Sequence, residues 1–185
     1  MVVWLTPLDS GAPRLPVVHP RLVQKNKRFE PHLLVIPVGT SVDFPNEDPF
    51  FHNVFSLYKG KRFDLGLYEA GSSRTVRFDR PGVSFIFCNI HPEMSAAVVA
   101  LETPYYGISN NAGEVTIRDV PPGHYQLAVW YERSSPEALS HLTQHISIPG
   151  ANVPALEIPE VTAASVPHKN KYGQDYDKST GYKSQ

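Results

Sequence analysis

The most constraining stretch of the chain is Cys88-Asn89-Ile90-His91-Pro92-Glu93-Met94, in which three metal-capable side chains follow one another as Cys-x-x-His-x-x-Met. It holds the sole cysteine, one of eight histidines and one of two methionines. Each step is about one turn of chain, so one tight loop can carry all three donors. Such a loop cannot enclose an ion by itself, because the ion would lie on the rim of a hairpin. A fourth donor has to come from a distant segment laid beside the loop. His52 qualifies, since it opens a strand-like run over residues 53–57.

A thiolate and a thioether suit Cu(I), and imidazoles tolerate both oxidation states. Two histidines and a cysteine in a plane, with a long axial methionine, form the donor set of blue-copper electron-transfer sites. Cys88, His52 and His91 in plane, with Met94 axial, are therefore read as one mononuclear copper site. Structural zinc prefers four thiolate or imidazole donors. Haem attachment would need Cys-x-x-Cys-His. A Cys–His nucleophile pair would need an oxyanion feature that is not legible. Alone, Cys-x-x-His reads as a buried thiol beside a surface histidine; Met94 and His52 turn the reading toward a metal.

The rest of the chain has to supply strands. Eighteen prolines and twelve glycines punctuate short runs rich in Val, Ile, Phe and Tyr, and helical periodicity is almost absent. That is the profile of an all-β sandwich. The 185 residues allow one ordinary domain and a smaller companion. Seventeen basic and eighteen acidic residues nearly cancel, so nothing points to nucleic acid or an anionic membrane surface as a partner. No run approaches the length of a transmembrane helix. One cysteine cannot form an internal disulfide, and a metal would keep that thiol occupied. No signal peptide is legible, because the apolar run at residues 2–5 is too short and no basic residue precedes it.

In chain order, residues 2–5 are predicted as a strand, 12–21 as a proline-punctuated connector, and 22–27, 32–37, 41–44 and 53–57 as strands. The loop at 46–51 brings Phe50 and Phe51 near His52, either as a shield against water or as ordinary core. Residues 58–71 read as a loop, with Lys59-Gly60-Lys61-Arg62 as a solvated turn or a docking point. Strands follow at 74–78, 83–88, 95–101, 105–109, 114–118, 124–132 and 145–148, with one short helix at 135–142. His19, His141 and His145 read as surface histidines. Residues 161–185 lack large aliphatics after Val166 and are expected to be a disordered tail.

Residues 29–100 resemble a cupredoxin, the plastocyanin and amicyanin fold. The stretches that carry the resemblance are Phe29-Glu30-Pro31, residues 34–46 (Leu-Val-Ile-Pro-Val-Gly-Thr-Ser-Val-Asp-Phe-Pro-Asn), His52-Asn53-Val54 and the loop from Cys88 to Met94, which is as short as amicyanin's. With Phe63-Asp64-Leu65-Gly66 and Val120-Pro121-Pro122-Gly123-His124-Tyr125, the chain is similar to plastocyanin-like proteins associated with methylamine utilization. Residues 103–160 resemble the small accessory β-sandwich of carboxypeptidases and cell-surface proteins. The expected architecture is all-β: a cupredoxin Greek-key β-sandwich at 17–102 and a second, smaller β-sandwich at 103–160. Residues 1–16 would complete the second sandwich with a strand, and 161–185 would be the tail.

The resemblance implies a type 1 (blue) copper protein acting as a one-electron carrier, not an enzyme, and exported to the periplasm or beyond. This chain would then be a mature or N-terminally shortened form. It implies that Asn53 donates its backbone N–H to the Cys88 sulfur while its side chain pins the two ligand-bearing segments together. It also implies that His91 is the electron's exit. Redox proteins would dock near His91, with an amine dehydrogenase or a cytochrome as candidates. A copper-binding or delivery protein, or a β-sandwich scaffold without electron transfer, are the alternative readings.

Overall fold

The computed structural model describes residues 1–9, 13–57, 60–150, 155–160 and 169–176. The protein is nearly all β, and its described residues divide into two compact units. One is built from Val17–Leu101 with Pro167–Gln185, the other from Met1–Pro16 with Glu102–Val166.

The first unit is a two-layer sandwich. Its strands are β2 (Val23–Lys25), β3 (Arg28–Glu30), β4 (Leu33–Pro37), β5 (Thr40–Pro45), β6 (His52–Ser56), β7 (Phe63–Tyr68), β8 (Ser73–Phe78), β9 (Gly82–Cys88) and β10 (Ser95–Leu101). One layer is the sheet β4-β10-β9-β6-β7, in which β4 runs parallel to β10 and the other neighbours are antiparallel. The other layer joins the hairpin β2-β3 to the pair β5-β8 through parallel bridges from Arg21 to Asp43 and Gln24 to Asn46. Leu22, Phe29, Val42, Phe44, Val76 and Phe78 from this layer meet Ile36, Val54, Ile86 and Val98 from the first. Strands β5 and β8 alternate buried and exposed residues, as strands with one wet face should. Strand β10 is buried almost throughout, which is why it reads as an unbroken apolar run.

Three features depart from the sequence reading. The strand predicted at 22–27 ends early, and Asn26 and Lys27 both take positive φ, 53° and 55°. With Lys25 opposite Arg28, this is the two-residue turn whose twist matches a hairpin. Residues 63–68, predicted as loop, form the edge strand β7. Its pairing with β6 shifts register between Asn53 and Phe55, and Gly66 supplies the positive φ of 69° that the bulge requires. Residues 114–118 form no strand, although Val115 and Ile117 alternate inward against the second unit's core. They approach the backbone so closely that a Cβ on Gly107 would come within 2.6 Å of Val115.

The second unit contains β1 (Val2–Pro7), β11 (Tyr106–Ile108), β12 (Gly123–Trp130), β13 (Gln144–Ile148) and the short helix α1 (Pro136–Ser140). Ser135 caps α1 by accepting from the Ala138 N–H, with Pro136 opening it. The strands make one sheet in the order β11-β1-β12-β13, so β1 is interior. Val3 and Leu5 of β1 pack with Tyr125, Leu127, Val129 and Leu139. Where a second sandwich is expected, the described residues hold this one sheet. Segments outside it, carrying Val115, Ile117, Leu156 and Ile158, pack against the same cluster.

Candidate metal centre

Strand pairing brings the donors together. Val54 of β6 lies opposite Cys88 of β9, so His52 at the head of β6 stands beside the loop that leaves Cys88. That loop closes on itself: the Met94 N–H donates to the His91 carbonyl at 3.0 Å, and the Cys88 N–H to the Met94 carbonyl at 3.3 Å. The Asn89 N–H donates to the Asn53 carbonyl at 3.2 Å, fastening the loop to β6. Cys88 Sγ lies 3.6 Å from His52 Nδ1 and 3.6 Å from His91 Nδ1. The three donor atoms all fall within 4.8 Å of one another. Metal bonds of about 2.3 Å to sulfur and 2.0 Å to nitrogen, opening at roughly 110°, subtend such an edge. Among the described residues this is the one His/Cys/Asp/Glu group with metal-holding geometry. Met94 is fully buried in the same apolar cluster as Cys88. The donor set thus fits a soft, redox-active ion.

Burial sets the protonation of the donors. Burial pushes the Cys88 thiol above its usual pKa, opposed by the backbone N–H groups of Asn53, Ile90 and His91 that face the sulfur. Burial lowers the pKa of His91, with His52 adding to the effect, so its imidazole is neutral at physiological pH. His52 Nε2 lies 2.9 Å from Asp48 Oδ2. A carboxylate there requires Nε2 to carry a proton, and Nδ1 is the ring nitrogen turned toward Cys88. The ring of Phe50 packs against both imidazoles, at 5.2 Å from His52 and 5.6 Å from His91. Phe51 turns outward and is 50% exposed. Of the two phenylalanines weighed as a shield, only Phe50 borders the donors in this way.

Asn53 has separate backbone and side-chain partners. Its N–H faces the sulfur. Its amide, instead of tying the two ligand segments, donates through Nδ2 to Asp64 Oδ1 at 2.7 Å, and its buried Oδ1 has no hydrogen-bond partner. The β7 bulge causes this, because it aims Asp64 back at β6; the same Asp64 oxygen accepts from the Gly66 N–H at 2.9 Å. His19 and the pair His141 and His145 are not part of the donor group.

Sequence reasoning missed Asp48, Asp64 and two residues of the tail. The residues described at 169–176 are placed against this centre, contrary to the expectation of a disordered tail. Residues 161–168 and 177–185 lie outside the described residues. The Lys171 N–H donates to Asn89 Oδ1 at 2.9 Å, Lys171 Nζ to Asp64 Oδ2 at 2.8 Å, and the Tyr176 hydroxyl to the Cys88 carbonyl at 2.8 Å. The physical reason is that this contact is polar and was invisible to an estimate based on aliphatic burial. An acid four positions before a candidate donor histidine, and Asp-x-Gly in a strand-like run, were available signals for Asp48 and Asp64. No local signal marks Lys171 or Tyr176.

Asp48 also accepts from the Asn26 N–H at 2.7 Å and the Lys27 N–H at 3.0 Å, holding the left-handed turn of β2-β3. Burial disfavours its charge, but these donors and His52 together hold its pKa below the ordinary carboxylate value. Asp48→Asn would replace one acceptor oxygen by an NH2 and set donor against donor at a site only 5% exposed. We expect a loss of about 1–3 kcal/mol, read as a lower urea midpoint of the metal-free protein at unchanged m-value.

No family model matches the chain, and no curated protein matches it. Among solved structures it is similar to a Cu-containing nitrite reductase (NirK) from Thermus scotoductus SA-01, at 27% identity over 52% of this chain and 25% of that one, with a TM-score of 0.43. It is similar to a purple cupredoxin from Nitrosopumilus maritimus, at 26% identity over 44% of this chain and 99% of that one, TM-score 0.41. An oxidised amicyanin mutant matches at 20% identity over 45% of this chain and 82% of that one, TM-score 0.42. The chain spans a quarter of the length of the nitrite reductase it matches.

Proposed function

We propose that the protein is a cupredoxin-like type 1 copper protein that carries single electrons. The observation that supports this most directly is the pair of 3.6 Å contacts joining Cys88 Sγ to the Nδ1 atoms of His52 and His91. His52, Cys88, His91 and Met94 would hold the copper. Bound copper would supply a reversible one-electron couple. The protein's contribution is to keep the donors still. Asp48 fixes the His52 tautomer, three backbone N–H groups face the sulfur, and Phe50 excludes water from one side. A site preorganised in this way suits both oxidation states with little rearrangement.

Four protein donors leave no position for a substrate, which favours a carrier over an enzyme. His91, half-buried next to the exposed Ile90, is the proposed exit. Weakly docking redox proteins, a cytochrome or an amine dehydrogenase among them, would meet the protein there, in the periplasm or another exported setting. Among the described residues no helix is long and apolar enough to cross a membrane.

The test is to add Cu(II) to purified protein, record the visible spectrum and then cycle the sample electrochemically. An intense thiolate-to-copper band with a reversible wave supports the carrier. A band with metal loss on each reduction would move the assignment to copper delivery, and no band in the folded protein would remove copper from the account. In His91→Gly we expect copper still to bind, the band to shift, and electron exchange to slow by an order of magnitude or more. Unchanged exchange would rule out His91 as the exit.

A further inference from the structure

The tail segment is built as a small rigid piece. Asn170 accepts through Oδ1 from the N–H groups of Tyr172 and Gln174, at 2.9 and 3.0 Å. Its backbone N–H donates to the Gln174 carbonyl at 2.8 Å and its carbonyl accepts from Gly173 at 2.9 Å, while Gly173 takes the positive φ of 76° that this turn needs. Asn170, Lys171 and Tyr176 are half-buried, whereas residues 172–175 between them are exposed. The residues that lose solvent include Lys171 and Tyr176, the two that bond to the metal loop.

Its three bonds converge. One reaches the carbonyl of Cys88, one the side chain of Asn89 immediately after it, and one Asp64, whose other oxygen holds Asn53. Asn53 is in turn one of the three residues whose N–H faces the Cys88 sulfur. Lys171 and Tyr176 therefore grip both of the backbone segments that present hydrogen-bond donors to that sulfur, without touching the donor atoms themselves. We propose that residues 170–176 are a strap whose Lys171 and Tyr176 act as positioning residues for the Cys88 sulfur and its N–H donors, so that this distant segment tunes the redox centre. The tuning rests on the copper reading above; the positioning does not.

The experiment uses the full chain with Tyr176→Phe, Lys171→Gln and Lys171→Arg. In the copper-loaded protein, Tyr176→Phe and Lys171→Gln should keep an intense thiolate band but shift it. Copper loss to a chelator should become roughly two- to tenfold faster, the equivalent of one hydrogen bond's net worth. Lys171→Arg, which keeps the charge and the reach to Asp64, should restore most of the wild-type rate. A purely structural strap would lower the melting temperature of the metal-free protein and leave the band and the loss rate unchanged, and that result overturns the proposal. Amide exchange in metal-free protein separates this from a failure of the copper reading. If wild-type protein gives no thiolate band, copper is wrong, and the strap is judged by exchange alone. Faster exchange at Asn53, Ile90 and His91 in Tyr176→Phe supports positioning, and unchanged exchange there overturns it.

Discussion

Cys88→Ser is expected to abolish the intense visible band of the copper-loaded protein and to weaken copper binding by more than about 100-fold, since loss of an outer partner alone typically costs 10- to 100-fold. Serine matches cysteine closely in shape and can still accept from the three N–H groups that face the sulfur, so the metal-free variant should fold. What is lost is the soft thiolate, the one donor that hydroxyl oxygen cannot imitate. The buried thiol is held above its usual pKa, so at neutral pH the metal-free site carries S–H. Copper must displace that proton. Apparent affinity should therefore rise with pH, by about tenfold per unit for one proton released, and the serine variant should lack this slope. Competition titrations at two pH values a unit apart check the sign. A pH-independent affinity would mean that the thiolate is not the copper ligand.

Leu5→Asp should unfold the single-sheet unit while the copper band survives. Leu5 is 3% exposed within the cluster formed by Val3, Tyr125, Leu127, Val129 and Leu139. The substitution removes about 1.5–3 kcal/mol of apolar burial and adds an unpaired carboxylate whose desolvation costs several kcal/mol more. A small unit holds only about 5–15 kcal/mol in total. Strand β1 also has a ladder on each side, so its disruption frees both β11 and β12. The two tryptophans of the chain, Trp4 and Trp130, both belong to this sheet. Their fluorescence thus reports this unit alone, and copper absorbance reports the sandwich. We expect the fluorescence transition to move to low denaturant or vanish, with absorbance holding to its wild-type midpoint. Coincident loss of both signals would mean that the two units unfold as one.

The all-β class was legible because proline, glycine and short β-branched runs leave little else to build. Cys88 and His91 were legible because scarce donors at fixed spacing on one loop have few other uses, and His52 because a loop site needs an outside donor. The structure brings these three together. What escaped the sequence were polar contacts made across long separations. The partnership of Asn53 with Asp64 depends on a bulge, and a bulge is a mismatch between two strands that neither strand shows alone. Strand β7 escaped for a related reason: an edge strand with Leu67 60% exposed lacks the clean alternation of a buried face. At residues 114–118 the alternation was real, but alternation marks the burial of side chains and cannot ensure that a backbone finds a ladder. Lys171 and Tyr176 sit in a stretch without apolar pattern, where one lysine and one hydroxyl gain their meaning only from what lies opposite.

The interior position of β1 has a consequence for biosynthesis. Its strand precedes its partners by most of the chain; Asp9, just beyond it, accepts from the His124 N–H 115 positions later. At about 5–20 residues per second, a ribosome needs on the order of ten seconds to deliver that partner. Until β11 emerges the apolar run Val2-Val3-Trp4-Leu5 has both edges unpaired, and until β12 emerges it has one. Meanwhile every strand of the sandwich, through Leu101, is synthesised and free to fold. The strands of the sandwich can thus pair before the companion sheet has closed, while Lys171 and Tyr176, which bond to the Cys88 loop, arrive last. The exposure to misassembly that this order creates lies in β1, which is where a chaperone that binds extended apolar segments would be expected to act.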